Sequence, residues 1–184
     1  MLQHKGTQLI ETPQLILRRF TEADAQAMYD NWASDPEVTK YLTWPTHGSP
    51  EISGMLLKEW VAAYGKKEHY LWAIVLKENG SEPIGSLSAD VQNEKVGSIH
   101  IGYCIGRKWW HRGIMSEALK ATVEFLFEEV GAQRIDARHD VNNPNSGAVM
   151  RKCGMKYEGT LRRSDWNNQG ICDACWYAIL REER

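Results

Sequence analysis

The chain has 184 residues, and its composition is that of an ordinary globular domain. Hydrophobic residues make up 42% and charged residues 25%, so one packed core can form without disulfides or bound metals. The net charge of −2 excludes the basic surface that nucleic-acid-binding domains carry. No apolar run approaches the roughly 20 residues of a membrane helix, and the first residues lack the apolar core of a signal peptide. We therefore expect one cytoplasmic domain, residues 1–184, that binds neither nucleic acid nor membrane.

The apolar positions and turn signals of the N-terminal half predict four strands and two helices. In chain order they are the strand Leu15–Phe20, helices that begin after Thr21 and Ser49, and the strands His69–Leu76, Ile84–Val91 and Val96–Ile105. Thr21 is a good helix cap, and Pro50 fits the first position of the second helix. Between these helices, residues 39–49 are aromatic and rich in turn formers.

The C-terminal half predicts two helices and three strands. They are the helix Ile114–Val130, the strand Arg134–His139, a short helix from Asn143 to Gly154, and the strands Met155–Arg162 and Ile171–Leu180, with the polar loop 164–170 between the last two. Gly131 ends the long helix. The order β-α-α-β-β-β-α-β-α-β-β predicts an α/β fold with a mixed, mostly antiparallel sheet of about seven strands and helices on both faces.

The four cysteines do not predict a metal or redox site. Cys172 and Cys175 have C-x-x-C spacing, but they lie in a predicted strand, where positions three apart face opposite sides. A zinc site needs a second pair of ligands, and a redox thiol needs a helix N-terminus or a cation beside it. We expect reduced thiols and no metal.

The segment from Ile101 to Ala118, IGYCIGRKWWHRGIMSEA, predicts an anion site. A strand ends in charged and aromatic residues, a tight turn follows at Gly113, and an amphipathic helix begins directly behind it. The first N–H groups of a helix have no partner within the helix, and its dipole is positive at this end. A phosphate group fits such a turn.

This order and these motifs resemble the GNAT superfamily of N-acetyltransferases, and most closely its RimJ/RimL-like branch. The pyrophosphate signature of the family, Q/R-x-x-G-x-G/A, falls on residues 110–115, where Gly113 is the strict match. Trp110 stands at the first position, which is often aromatic in this branch, and Met115 at the last. A second signature, N-x-x-S, falls on residues 143–146, before Lys152-Cys153-Gly154. The resemblance covers nearly the whole chain.

The resemblance implies acetyl-CoA as the acetyl-donor cosubstrate. The coenzyme-binding residues that it implies are Cys104, Ile105, Trp110, His111, Arg112, Gly113, Ile114, Met115, Ser116, Asn143, Ser146 and Lys152. In this fold the strand that carries Cys104 and Ile105 splays from its neighbour, so that their backbone groups pair with the pantetheine arm. Asn143 would bind the same arm, and Ser146 would protonate the leaving thiolate as general acid. The alternative is that Asn143 only caps a helix and Ser146 is an ordinary first-turn residue.

The attacking amine must lose a proton, and His100 is the predicted catalytic base because it lies on the strand that flanks the acetyl group. Glu94, Asp90 and His47 are the other candidates, and a strand histidine without a catalytic role is the alternative. A covalent acetyl-Cys104 intermediate is also conceivable, but no base is positioned beside this thiol. We therefore favour direct transfer in a ternary complex.

The acceptor groove is expected between the segment Tyr41–His47, the second predicted helix and the last hairpin loop, with Trp44, Arg162 and Asp173 as substrate-binding residues. An ordinary charge at a strand edge is the alternative for Asp173. The resemblance implies a primary amine as acceptor, either a protein N-terminal α-amine or a small-molecule amine. It also makes a homodimer an expectation. A noncatalytic acyl-CoA-binding sensor is the alternative from another functional class.

Overall fold

Eight strands form one sheet in the computed structural model, which describes residues 2–184. The strands are β1 (Ile10–Glu11), β2 (Leu15–Arg18), β3 (Tyr70–Leu76), β4 (Pro83–Asn93), β5 (Ser98–Ile105), β6 (Arg134–Asp140), β7 (Lys156–Asn167) and β8 (Gly170–Leu180). The helices are α1 (Ala25–Met28), α2 (Pro36–Thr39), α3 (Pro50–Ala63), α4 (Ile114–Phe125) and α5 (Pro144–Lys152). The strand order is β1-β2-β3-β4-β5-β6-β8-β7, and every described pair except β5–β6 is antiparallel.

The predicted mixed, mostly antiparallel sheet is confirmed, with the two-residue β1 added at one edge. The first predicted helix is broken into α1, a π-helical turn and α2. The predicted loop 164–170 is wrong, because strand pairing continues along the last hairpin to Asn167↔Gly170. A bulge between Leu161 and Asp165 absorbs the irregular register, so the polar sequence remains extended.

Alternation along β3 divides the core between the two faces of the sheet. Trp72 and Ile74 face the larger cluster, which α4 and α5 cover. Leu71 and Ala73 face a second cluster under α1 and α3. Both faces of β3 are therefore buried, which explains its continuous apolar run.

A gap opens in the middle of the sheet, between β5 and β6. Within the described chain these two strands pair from Ser98↔Arg134 to His100↔Asp136 and no further. From residue 101 onward β5 stays paired with β4 alone, while β6 pairs with β8 as far as Asp140↔Ala174. The expected splay is present, and His100 marks the point where it begins.

Candidate active site

A cleft begins at the free end of β5 and extends between the turn before α4 and the first turns of α5. All of the predicted coenzyme-binding residues except Arg112 line it. Arg112 points elsewhere, and its Nη2 atom donates to Glu78 Oε1 at 3.1 Å. Val38, Tyr41 and Leu42 are among the other residues that line the cleft. Sequence reasoning missed Val38, which lies in α2, whereas Tyr41 and Leu42 belong to the segment that it assigned to the acceptor groove.

The turn before α4 presents a row of unpaired backbone donors. Gly113 has φ +77° and His111 has φ +59°, so the backbone turns through the left-handed region twice. None of the N–H groups of residues 111–116 donates to an acceptor within residues 2–184. A Cβ added at Gly113 would meet nothing within 4 Å. The space in front of this row is therefore open to an anion.

Trp110 connects the turn to the end of β5. Its indole Nε1 donates to the Ile105 carbonyl oxygen at 2.8 Å, and its ring packs against both apolar clusters. The Ile105 carbonyl therefore already has a partner within the protein. A coenzyme would have to bind other backbone groups of β5. Met115 is 6% exposed and packs in the larger core, so the position where the family signature has Gly or Ala is filled by a core side chain.

At the N-terminus of α5, the Asn143 side chain makes no capping hydrogen bond. Asn143 is half-buried and lines the cleft, so its amide can reach a ligand there. Ser146 also lines the cleft. Tyr103 Oη lies 2.9 Å from the Ser146 carbonyl oxygen and 3.0 Å from Ser146 Oγ.

Tyr103 is a site residue that sequence reasoning missed. Burial raises the pKa of its phenol, so the hydroxyl stays protonated. Strand alternation could have identified it, because Tyr103 shares a face with Ile99 and Ile101, which pack in the larger cluster. Its contact with Ser146, 43 residues further along, has no signal in the sequence.

Cys104 faces the opposite side of β5 from Tyr103. Its Sγ atom lies 3.3 Å from Ser86 Oγ and packs against the smaller cluster. Burial raises the pKa of this thiol, and a protonated thiol is a poor nucleophile. The environment of Cys104 therefore favours direct transfer over an acetyl-cysteine intermediate.

The predicted base, His100, is held in a polar network beside the gap and is not among the residues that line the cleft. Its Nδ1 atom lies 2.5 Å from Asp136 Oδ1, and its Nε2 atom lies 3.0 Å from Arg138 Nη1. A guanidinium can only donate, so Nε2 is the acceptor and Nδ1 carries the proton. Arg138 also donates to Asp165 and covers the Trp176 ring at 5.3 Å. Both ring nitrogens of His100 are therefore engaged in this arrangement.

The acetyltransferase (GNAT) domain family matches residues 14–156 of this sequence. The chain belongs to the GNAT acetyltransferase family. The uncharacterized N-acetyltransferase YoaA of Bacillus subtilis is 30% identical to it over 173 residues, which cover 94% of this chain and 97% of the relative. This chain is 27% identical over 159 residues, or 82% and 79% of the two chains, to the [ribosomal protein uS5]-alanine N-acetyltransferase of Escherichia coli.

Among solved structures, RimL, a ribosomal L7/L12 α-N-protein acetyltransferase in complex with coenzyme A, has the same fold. The TM-score is 0.83 at 21% identity, over 96% of this chain and all of that one (100%). The RimJ/RimL-like resemblance is thereby confirmed, and the chain is an acetyl-CoA-dependent N-acetyltransferase.

The predicted acceptor-binding residues of this acetyltransferase lie apart from the residues that line the cleft. Asp173 Oδ1 accepts from the Arg163 backbone N–H at 2.8 Å, and the Trp44 ring lies 5.1 Å from that of His47. Arg162 is exposed on β7. The segments that carry them do meet: Asn168 Nδ2, at the tip of the last hairpin, donates to the carbonyls of Thr39 and Trp44, each at 2.8 Å.

The other candidate bases of the acetyltransferase are placed as follows. His47 is buried with Nδ1 at 2.8 Å from Ser53 Oγ, and burial lowers its pKa. Glu94 pairs with His4 at 3.2 Å, and Asp90 is exposed.

Residues 2–184 contain no cluster of three or more histidine, cysteine or carboxylate side chains that could hold a metal ion. Within the same range, no helix combines the length and apolar character needed to cross a membrane.

Proposed function

We propose that this acetyltransferase moves the acetyl group of acetyl-CoA directly to a primary amine, with both substrates bound at once. The observation that carries the proposal is the row of unpaired N–H groups at residues 111–116, next to the unpaired edge of β5. When bound, acetyl-CoA supplies an activated thioester. The N–H row would bind its pyrophosphate, the Asn143 amide and the β5 edge would hold its arm, and Lys152 would add a positive charge at the rim.

Two groups handle protons in this proposal. Ser146, in the cleft, would give its hydroxyl proton to the leaving sulfur. His100, at the start of the gap, would take the proton of the amine, which requires Arg138 to release Nε2. Asp136 Oδ1 lies 2.5 Å from Nδ1 and accepts its hydrogen bond, which fixes the orientation of the ring.

For the acceptor we propose a protein N-terminal α-amine, on the similarity to the uS5-alanine N-acetyltransferase. It would bind between the segment 41–47 and the last hairpin, near Trp44, Arg162 and Asp173. A small-molecule amine is the rival acceptor.

The cytoplasmic location and the homodimer stay predictions. Sedimentation velocity of the purified protein tests the homodimer.

The test is incubation of the purified protein with isotopically labelled acetyl-CoA and a cell lysate, followed by mass spectrometry of proteins and small molecules. Label on protein N-termini supports the proposed acceptor, and label on small amines alone overturns it. Binding of acetyl-CoA without amine-dependent thiol release would instead support a noncatalytic sensor. A boiled-protein control removes nonenzymatic acetylation.

A further inference from the structure

We infer that Tyr103 is a positioning residue for Ser146: its hydroxyl decides whether the Ser146 proton points into the protein or into the cleft. The inference rests on the proposed function, because only there does Ser146 act on the leaving sulfur. Tyr103 and Ser146 belong to the two elements that border the gap, the free end of β5 and the first turn of α5. Both line the cleft.

The geometry allows two arrangements of the hydroxyl protons. The Ser146 carbonyl can only accept, so when Tyr103 donates to it at 2.9 Å, the Tyr103 oxygen is left to accept from Ser146 Oγ at 3.0 Å. The serine proton then points away from the cleft. When Tyr103 donates to Oγ instead, the serine proton is free to point into the cleft. Rotation of two O–H bonds interconverts the arrangements, and no heavy atom moves.

Tyr103 remains a hydrogen-bond donor throughout, since its buried phenol ionises less readily than a free one. In the transfer step a C–N bond forms and the C–S bond breaks. The Ser146 proton moves to sulfur, and the proton lost by the amine returns to Oγ by way of the base or solvent, so atoms and electrons balance. As negative charge develops on Oγ, the bond from Tyr103 strengthens, because hydrogen bonds to charged acceptors are about twice as strong as neutral ones.

A merely structural tie between β5 and α5 is the competing explanation, and kinetics separates the two. The variant is Tyr103→Phe, which keeps the ring and removes the hydroxyl. Its matched control is Tyr157→Phe, at an exposed tyrosine whose hydroxyl contacts Thr160 at 2.7 Å. Thiol release from acetyl-CoA is followed with an alanine-initiated peptide, free amino acids and a polyamine as acceptors.

We expect Tyr103→Phe to lower kcat about 10-fold, with KM for acetyl-CoA within about 2-fold, since an aligned proton donor acts in the transition state. Ser146→Ala should lower kcat further, and the double variant should be no slower than Ser146→Ala alone, because Tyr103 acts through Ser146. Tyr157→Phe should match the wild type. Melting temperatures exclude loss of the fold.

Three results overturn the inference: an unchanged kcat in Tyr103→Phe, a loss confined to KM or to melting temperature, and effects of Tyr103→Phe and Ser146→Ala that add in the double variant. A different result would contradict the proposed function. In that case the wild-type protein binds acetyl-CoA but releases no thiol with any of the acceptors, and the inference fails as well.

Discussion

The two sides of the gap differ in how their polar groups are satisfied. On the coenzyme side, the N–H groups of residues 111–116 and the Asn143 amide have no partner within residues 2–184. On the side proposed for the acceptor, hydrogen bonds link His100, Asp136, Arg138 and Asp165. Unpaired donors cost stability unless a ligand or water satisfies them, whereas a paired network stabilises itself. Under the proposed function, the coenzyme side is therefore shaped in advance, whereas Arg138 must release His100 before this residue can act.

The sharpest test of this contrast is at Gly113. Gly113→Val should weaken acetyl-CoA binding about 1000-fold, as loss of two hydrogen bonds to a charged ligand implies. Gly131→Val is the matched control, because Gly131 has φ +80° and an equally empty Cβ position at the other end of the same helical segment. Both variants should lose similar stability. Calorimetric titration checks the affinity, and equal affinity in the two variants would contradict the assignment of the turn.

The next effect concerns the acceptor side. If Arg138 releases His100 during turnover, His100→Gln should lower kcat about 100-fold and leave acetyl-CoA affinity unchanged. His69→Gln is a control at a half-buried histidine that directly precedes β3. Steady-state thiol release measures both. A wild-type kcat in His100→Gln would show that the network serves only to hold β5, β6 and β7 together.

A substitution at Asn143 distinguishes a coenzyme-binding residue from a helix cap. Asn143→Ala should weaken acetyl-CoA binding about 10-fold, the value of one neutral hydrogen bond, with little change in melting temperature. A capping residue would show the reverse, a loss of about 1 kcal/mol in stability at constant affinity. Thermal melts with and without the coenzyme distinguish these outcomes.

The smallest expected effect is the pH-dependent contribution of Asp165 to the free energy of unfolding. Burial acts to raise the pKa of this carboxyl, but hydrogen bonds from Arg138 and the Trp166 N–H outweigh it and lower the pKa. A lowered pKa stabilises the fold above the unfolded value near 3.8, and this contribution is lost as the pH falls through the folded pKa. Asp165→Asn should therefore cost about 1 kcal/mol at pH 7 and less at pH 3. Urea unfolding at the two pH values measures the difference, and an equal cost at both would refute it.

Sequence alone predicted the turn before α4 and the start of α5 better than the network around His100. The turn at Gly113 and the start of α5 are local: a few adjacent residues determine their backbone, so short motifs identify them. The network around His100 draws on β5, β6, β7 and β8, and it depends on β8, rather than β7, lying next to β6. Nothing in the sequence near Asp165 indicates that its partner is Arg138, 27 residues away. The same holds for Tyr103 and Ser146.

If the acceptor binds as proposed, Asn168 has a consequence for how acceptor preference can change in this fold. It joins the hairpin tip to carbonyls 124 and 129 residues earlier in the chain. The backbone N–H of Asn168 adds a third bond, to the Leu42 carbonyl at 3.1 Å. A hairpin transplanted from another enzyme without this side chain would leave the Trp44 carbonyl without its partner. The Thr39 carbonyl would keep only the hydrogen bond from the Leu42 N–H. Loop and hairpin therefore form one exchangeable unit, to be grafted together or not at all.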